Sequence, residues 1–147
     1  AEVCLNIKTP ILVLPYNFTN QRPNRIALAY DLKPIKKLEN LDIIQLLSTI
    51  FGSEIHIFSI TSDEEINESE KENAEILNQY FHDYDAKFHI KTHDDVMEGI
   101  SEYVKHHEIS LLVILHRDRN FLEEIFNDSL TEKIFFQIDI PLLALDE

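Results

Sequence analysis

From Arg25 onward the chain alternates short apolar runs with longer amphipathic ones, the signature of a parallel sheet wrapped by helices. RIALAY, from Arg25, reads as the first strand, closed by Asp31. Pro34 fits the first turn of a helix, where its missing N–H costs nothing, and Ile35, Leu38, Leu46, Leu47 and Ile50 form the apolar face. Gly52 ends that helix, and EIHIFSIT, from Glu54, is the second strand. The acidic stretch from Ser62 to Asp85 spaces Ile66, Leu77, Tyr80, Phe81 and Tyr84 helically, with its many carboxylates on a solvated face. AKFHIKT alternates as an edge strand. Thr92 or Asp94 is placed to cap a helix bearing Val96, Ile100, Tyr103, Val104 and His107. LLVIL, from Leu111, lacks polar alternation, so both faces of this strand should be covered, as in the centre of a parallel sheet. Phe121, Leu122, Ile125, Phe126 and Ile134 give a last helix its apolar side, and IPLLAL supplies the final strand.

A chain of 147 residues with 44% apolar content fits one domain with its own core. The formal net charge of −14 repels polyanions, so neither nucleic acid nor an anionic membrane surface is an expected partner. No apolar run approaches bilayer length and the first residues lack the pattern of a signal peptide, so a soluble, cytoplasmic protein is expected. The single cysteine, Cys4, fits a reducing compartment.

VCLNIKTPILVL, from Val3, lies without a gap over IFFQIDIPLLAL, from Ile134. Ile7 falls on Ile138, Pro10 on Pro141, Leu12 on Leu143 and Leu14 on Leu145, which makes a short internal repeat. NFTNQRPN then reads as a linker. Residues 1–15 are accordingly expected to be the last helix turn and strand of a preceding repeat, 16–24 the linker, and 25–147 the domain proper.

With IALAYD from Ile26, LLVIL from Leu111 and SLTEKIFFQIDIPLLAL from Ser129, the stretch from Arg25 to Leu145 resembles the universal stress protein family. The resemblance implies an adenine nucleotide α-hydrolase-like α/β fold: a three-layer, open twisted sheet of five parallel strands in the order 3-2-1-4-5, with helices on both faces. The amino-terminal repeat resembles the last strand of the preceding domain in a tandem member. Family domains pair through antiparallel fifth strands, which implies that Ile11, Leu12, Val13 and Leu14 pair with Leu142, Leu143, Ala144 and Leu145, within one chain or across a homodimer.

Members that bind ATP carry a glycine, two residues, a second glycine, nine residues, a third glycine, then Ser or Thr. Counting back from Ser129 puts Asp128, Asp118 and Leu115 at the glycine positions. Such glycines let backbone N–H groups approach phosphate closely, and two of their replacements are carboxylates that repel it. Binding of ATP or AMP in the usual manner is therefore not expected, and no cofactor is assigned. Asp31, matching the family's acidic residue after the first strand, and Ser129, matching its hydroxyl, remain. With His116, Arg117 and Arg119 they leave two readings, an internal salt-bridge cluster or a grip on a small anion or altered nucleotide between Asp31 and residues 115–119.

Seven histidines raise the question of a metal, but no His-x-x-x-His spacing occurs, and His106 and His107 point apart as helix neighbours. Surface or half-buried histidines without a metal are expected. No Gly-x-Ser-x-Gly elbow supports a nucleophile. The expected protein is non-enzymatic, acting in stress response through association with itself or a partner; a small-ligand sensor is the alternative.

Overall fold

The computed structural model describes residues 9–116 and 138–147. The strands are β1 (Ile11–Val13), β2 (Arg25–Ala29), β3 (Glu54–Thr61), β4 (Lys87–Thr92), β5 (Leu111–His116) and β6 (Leu142–Asp146). Among the described residues the helices are α1 (Asp42–Phe51), α2 (Glu68–Tyr80) and α3 (Val96–His106). All six strands join one sheet in the order β1-β6-β5-β2-β3-β4. From β2 to β6 the pairing is parallel, and β1 adds antiparallel to β6. With β2 counted as the first strand, the parallel part has the expected 3-2-1-4-5 order.

The period-two geometry of strands divides the core between two faces. Ile26, Leu28, Ile55, Ile57, Leu111 and Val113 join Leu41, Ile44, Leu77 and Phe81 beneath α1 and α2. Ala27, Phe58 and Leu112 point the other way, towards Tyr103 and Val104 of α3 and towards Ile109, Ile138 and Leu142. Each fully buried large aliphatic or aromatic side chain contributes about 1.5–3 kcal/mol, so the alternation within β2 and β5 glues helices to both sides of the same strands.

The first helix begins later than the proline suggests. Residues 31–37 form bends and irregular backbone, followed by a 3-10 helix at Leu38–Leu41, before α1 starts at Asp42. The cause lies just after β2: Asp31 Oδ1 accepts from Lys33 N–H at 3.1 Å, and Leu32 takes a left-handed φ of 64°. Tyr30 Oη donates to the Lys33 carbonyl and Asn73 Nδ2 to that of Leu32. Those carbonyls are thereby committed outside a helix. The delay also rotates the apolar face: Ile44 is buried while Leu46 and Ile50 are 57% and 58% exposed, against expectation. At the other end Gly52, with φ 66°, caps α1, and the Ser53 N–H reaches back to the Ser48 carbonyl. Asn67 caps α2 by accepting from Glu70 N–H. The cap of α3 is Asp95, not Thr92 or Asp94: Thr92 belongs to β4, and His93 Nδ1 accepts from Asp95 N–H, which aims the Asp95 carboxylate at the N–H groups of Met97 and Glu98. The helix expected through Phe121 and Ile134 lies outside the described residues, as does Cys4.

Gly99 lets α3 lie close on β3. A Cβ there would sit 2.6 Å from Ile60 Cγ2 and 3.2 Å from His93 Cβ. Gly99→Ala is expected to lower stability in urea unfolding by about 1–3 kcal/mol. Combined with Ile60→Ala, it should show a favourable coupling of about 1 kcal/mol in a double-mutant cycle.

Candidate functional site

The carboxyl ends of β2 and β5 face each other where the chain's progress across the sheet reverses, the place at which open α/β sheets bind ligands. Ala29 is level with Ile114, so continuing the register carries Asp31 to the level of His116. On the far side His116 is level with Asp146, and Leu115 with Leu145. The structure thus gathers Asp31, Leu115 and His116 at one end of the sheet. His116 is buried, its Nδ1 3.9 Å from an Asp146 carboxylate oxygen, while Asn40 Nδ2 ties down the Asp146 main-chain carbonyl at 3.0 Å. Arg117, Asp118, Arg119, Asp128 and Ser129 lie outside the described residues.

Both glycines of the chain are accounted for elsewhere, Gly52 at the end of α1 and Gly99 against Ile60.

A second polar site lies under α3, on the opposite face of the sheet from α1 and α2. His56 and Phe58 of β3, His89 of β4, Tyr103 of α3 and His107 just beyond it meet there. The Tyr103 hydroxyl bridges two imidazoles, 2.8 Å from His56 Nδ1 and 2.7 Å from His89 Nδ1. Glu54 Oε1 lies 2.7 Å from His56 Nε2 and 2.8 Å from Lys87 Nζ. The Lys87 hydrogen bond, and then that of His56, hold the Glu54 carboxyl below its ordinary range despite partial burial. An ionised carboxylate only accepts, so His56 Nε2 carries the proton and His56 Nδ1 is an acceptor. Tyr103 O–H therefore donates to His56 and accepts from His89 Nδ1–H. Burial pushes the Tyr103 phenol up and the imidazoles of His56, His89 and His107 down, favouring the neutral form of all four. Beside the cluster a pocket of about 220 Å³ is lined by Lys91, His93, Glu102 and His106 among others.

The expectation of surface or half-buried histidines holds for His89 and His107, which are half-buried, and is corrected for His56, which is buried. Only the side of His56 was readable from alternation, because it shares a side of its strand with buried Phe58. The pairing of His89 opposite Phe58, and the phase of α3 that brings in Tyr103 and His107, are tertiary. Among the described residues no three His, Cys, Asp or Glu side chains are arranged to hold a metal ion. No helix among them is long and apolar enough to cross a membrane.

No protein-family model matches the sequence, and no curated protein sequence does. Similarity appears at the level of three-dimensional structure. A universal stress protein from Archaeoglobus fulgidus DSM 4304 superposes with a TM-score of 0.69 at 14% identity, over 99% of this chain and 52% of that one. The chain has the universal stress protein fold. A universal stress protein solved in complex with cAMP gives a TM-score of 0.63 at 10% identity, over 86% of this chain and 98% of its own. Universal stress protein UspA from Lactobacillus plantarum gives 0.57 at 14% identity, over 86% and 99%. The chain thus spans about half the length of the Archaeoglobus protein and nearly all of the other two.

Replacing Tyr103 by Phe keeps its stacking on Phe58, 3.9 Å between ring centroids, and removes only the bridge between two imidazoles. Tyr103→Phe is expected to cost about 1–3 kcal/mol in chemical denaturation at pH 7.5, since it strands a buried His56 nitrogen.

Proposed function

We propose that the chain is a universal stress protein domain of the tandem type, acting in stress response by association through the β1 edge of its sheet, without catalysis and without the family's ATP grip. The observation that carries this reading is the register of β1 on β6. Leu12 stands opposite Leu143, the residue onto which the internal repeat maps it. Ile11 opposite Ala144 and Val13 opposite Leu142 are then images of each other under the same mapping. That is the geometry of a local two-fold axis between two copies of one strand. In the second copy the strand carries β5 on its other side, so β1 is suited to carry an equivalent strand from a preceding domain or from a second chain. Exposure agrees: Leu143 is 6% exposed and its counterpart Leu12 is 55% exposed, the difference a second helical layer would remove. An apolar edge of this kind is a hazard unless it is covered.

The loss of the ATP grip rests on Leu115, Asp118 and Asp128 at the glycine positions and on the engagement of both glycines elsewhere. A cytoplasmic site of action fits the single cysteine.

The second reading, a sensor of a small anion or nucleotide between Asp31 and residues 115–119, is favoured by Asp31 and His116 at one level of the switch point. The cAMP complex of a protein with this fold makes cAMP, AMP and ATP the ligands to try.

Sedimentation equilibrium tests the association. A dimer is expected at micromolar concentration, and Leu12→Arg, which puts a charge into the covered face, should weaken it at least tenfold with an unchanged far-ultraviolet circular dichroism spectrum. A monomer at every concentration, indifferent to Leu12→Arg, contradicts it. Calorimetric titration with ATP, AMP and cAMP is expected to give no heat of binding. Micromolar affinity for any of them puts the sensor reading first.

A further inference from the structure

We propose that the histidine–tyrosine cluster under α3 is an acid-released latch, which holds the carboxyl-terminal half of α3 on β3 and β4 at neutral pH and lets go when its imidazoles take up protons.

The hydrogen bonding has one consistent assignment in the neutral state and none once both imidazoles bridged by Tyr103 are protonated. Neutral His56 accepts from the Tyr103 hydroxyl, which in turn accepts from His89. Once His56 and His89 are both imidazoliums every ring nitrogen donates, so the Tyr103 oxygen has to accept from both rings, and the phenol proton loses its acceptor in a buried place. Charging His89 or His107 meets a second obstacle, because their rings are stacked with centroids 5.2 Å apart and 22° between planes. His107 also lies 5.4 Å from His56 and 4.1 Å from Tyr103.

The surrounding charges add to the cost of protonation. From β4, Lys87 and Lys91 face the cluster, from β2 Arg25, and beside His107 the ring of His106, 4.9 Å away. Among the described residues Glu54 of β3 is the one carboxylate hydrogen-bonded to a ring of the cluster, and it is shared with Lys87 and lies 4.0 Å from Arg25 Nε. Glu102 and Glu98 of α3 are directed to His93 in the neighbouring pocket. Burial is the first cause that lowers His56, His89 and His107, followed for His107 by His56 and His89 themselves.

The sign follows from linkage. Three bases whose folded-state affinity for protons lies below the ordinary imidazole value of about 6.5 bind more protons when released than when packed. The stability they lend is complete above about pH 6.5 and is withdrawn as the pH falls through and below that value. Ordinary carboxylates titrate near pH 4, so between pH 7.5 and 5.5 the histidines dominate. Release is local because His107 N–H and Ile109 N–H close the end of α3 onto Tyr103 and Val104, whereas β2 and β5 lie in the middle of the sheet. In a domain of stress-protein fold the latch is a means of sensing acidification away from the switch-point crevice.

Native-state hydrogen exchange at pH 7.5 and 5.5, corrected for intrinsic rates, tests it. Protection of the amides from Tyr103 to Ile109 is expected to drop at least tenfold at the lower pH, with β2 and β5 amides changing less. The His89→Gln, His107→Gln double variant, which keeps neutral side chains able to donate, should lose most of that drop. Unchanged protection of Tyr103 to Ile109, a fall shared equally by β2 and β5, or the same local fall in the double variant overturns the latch. If the variant does not fold, imidazole nitrogen-15 shifts of the unaltered chain decide: midpoints for His56, His89 and His107 below 6.5 support it, and midpoints at or above 6.5 overturn it.

Discussion

β2 and β5, the two middle strands of the sheet, carry apolar side chains on both faces, and the described helices are arranged to cover them. Ile26, Leu28, Leu111 and Val113 require a layer on one side; Ala27 and Leu112 require another on the opposite side. A right-handed crossover between neighbouring parallel strands supplies one helix at a time, so the order of elements dictates which side each helix serves. Helices α1 and α2 therefore share a face, and α3 lies on the other. The polar constellations lie at the boundaries of this arrangement. One is at the carboxyl ends of β2 and β5, where the chain's direction across the sheet reverses. The other is at the β3–β4 side, where α3 covers histidines in place of leucines.

The same constraint explains the outer edge. β6 is apolar along most of its length, with Leu142, Leu143, Ala144 and Leu145 buried, and a bare edge of that composition would recruit other strands. β1 occupies it, and the exposed apolar side chains there are now Leu12 and Leu14.

Much of the architecture was legible in the sequence, since period-two alternation and unbroken apolar runs are local consequences of which faces are buried. Gly52 marked the end of α1 for a local reason as well, its left-handed conformation. The start of α1 was not legible from Pro34, because the competing turn depends on Asn73, distant in sequence, holding the Leu32 carbonyl. The cap of α3 was displaced by one side chain, His93, bonding to the Asp95 N–H. At the switch point Asp31, Leu115 and His116 were legible as a group through strand order. The cluster of His56, His89, Tyr103 and His107 was not, because no short spacing encodes it. Only the register of β3 on β4 and the phase of α3 bring it together.

The pairing of Leu12 with Leu143 within one chain is the claim on which the two-fold geometry, and with it the associative function, rests. Isotope-filtered nuclear Overhauser spectroscopy on a mixture of labelled and unlabelled chains measures it directly. The expected result is a Leu12–Leu143 contact in the intrachain spectrum and no Leu12–Leu143 contact between labelled and unlabelled molecules. Contacts that appear only between molecules, or Leu12 without any contact to Leu143, would contradict it.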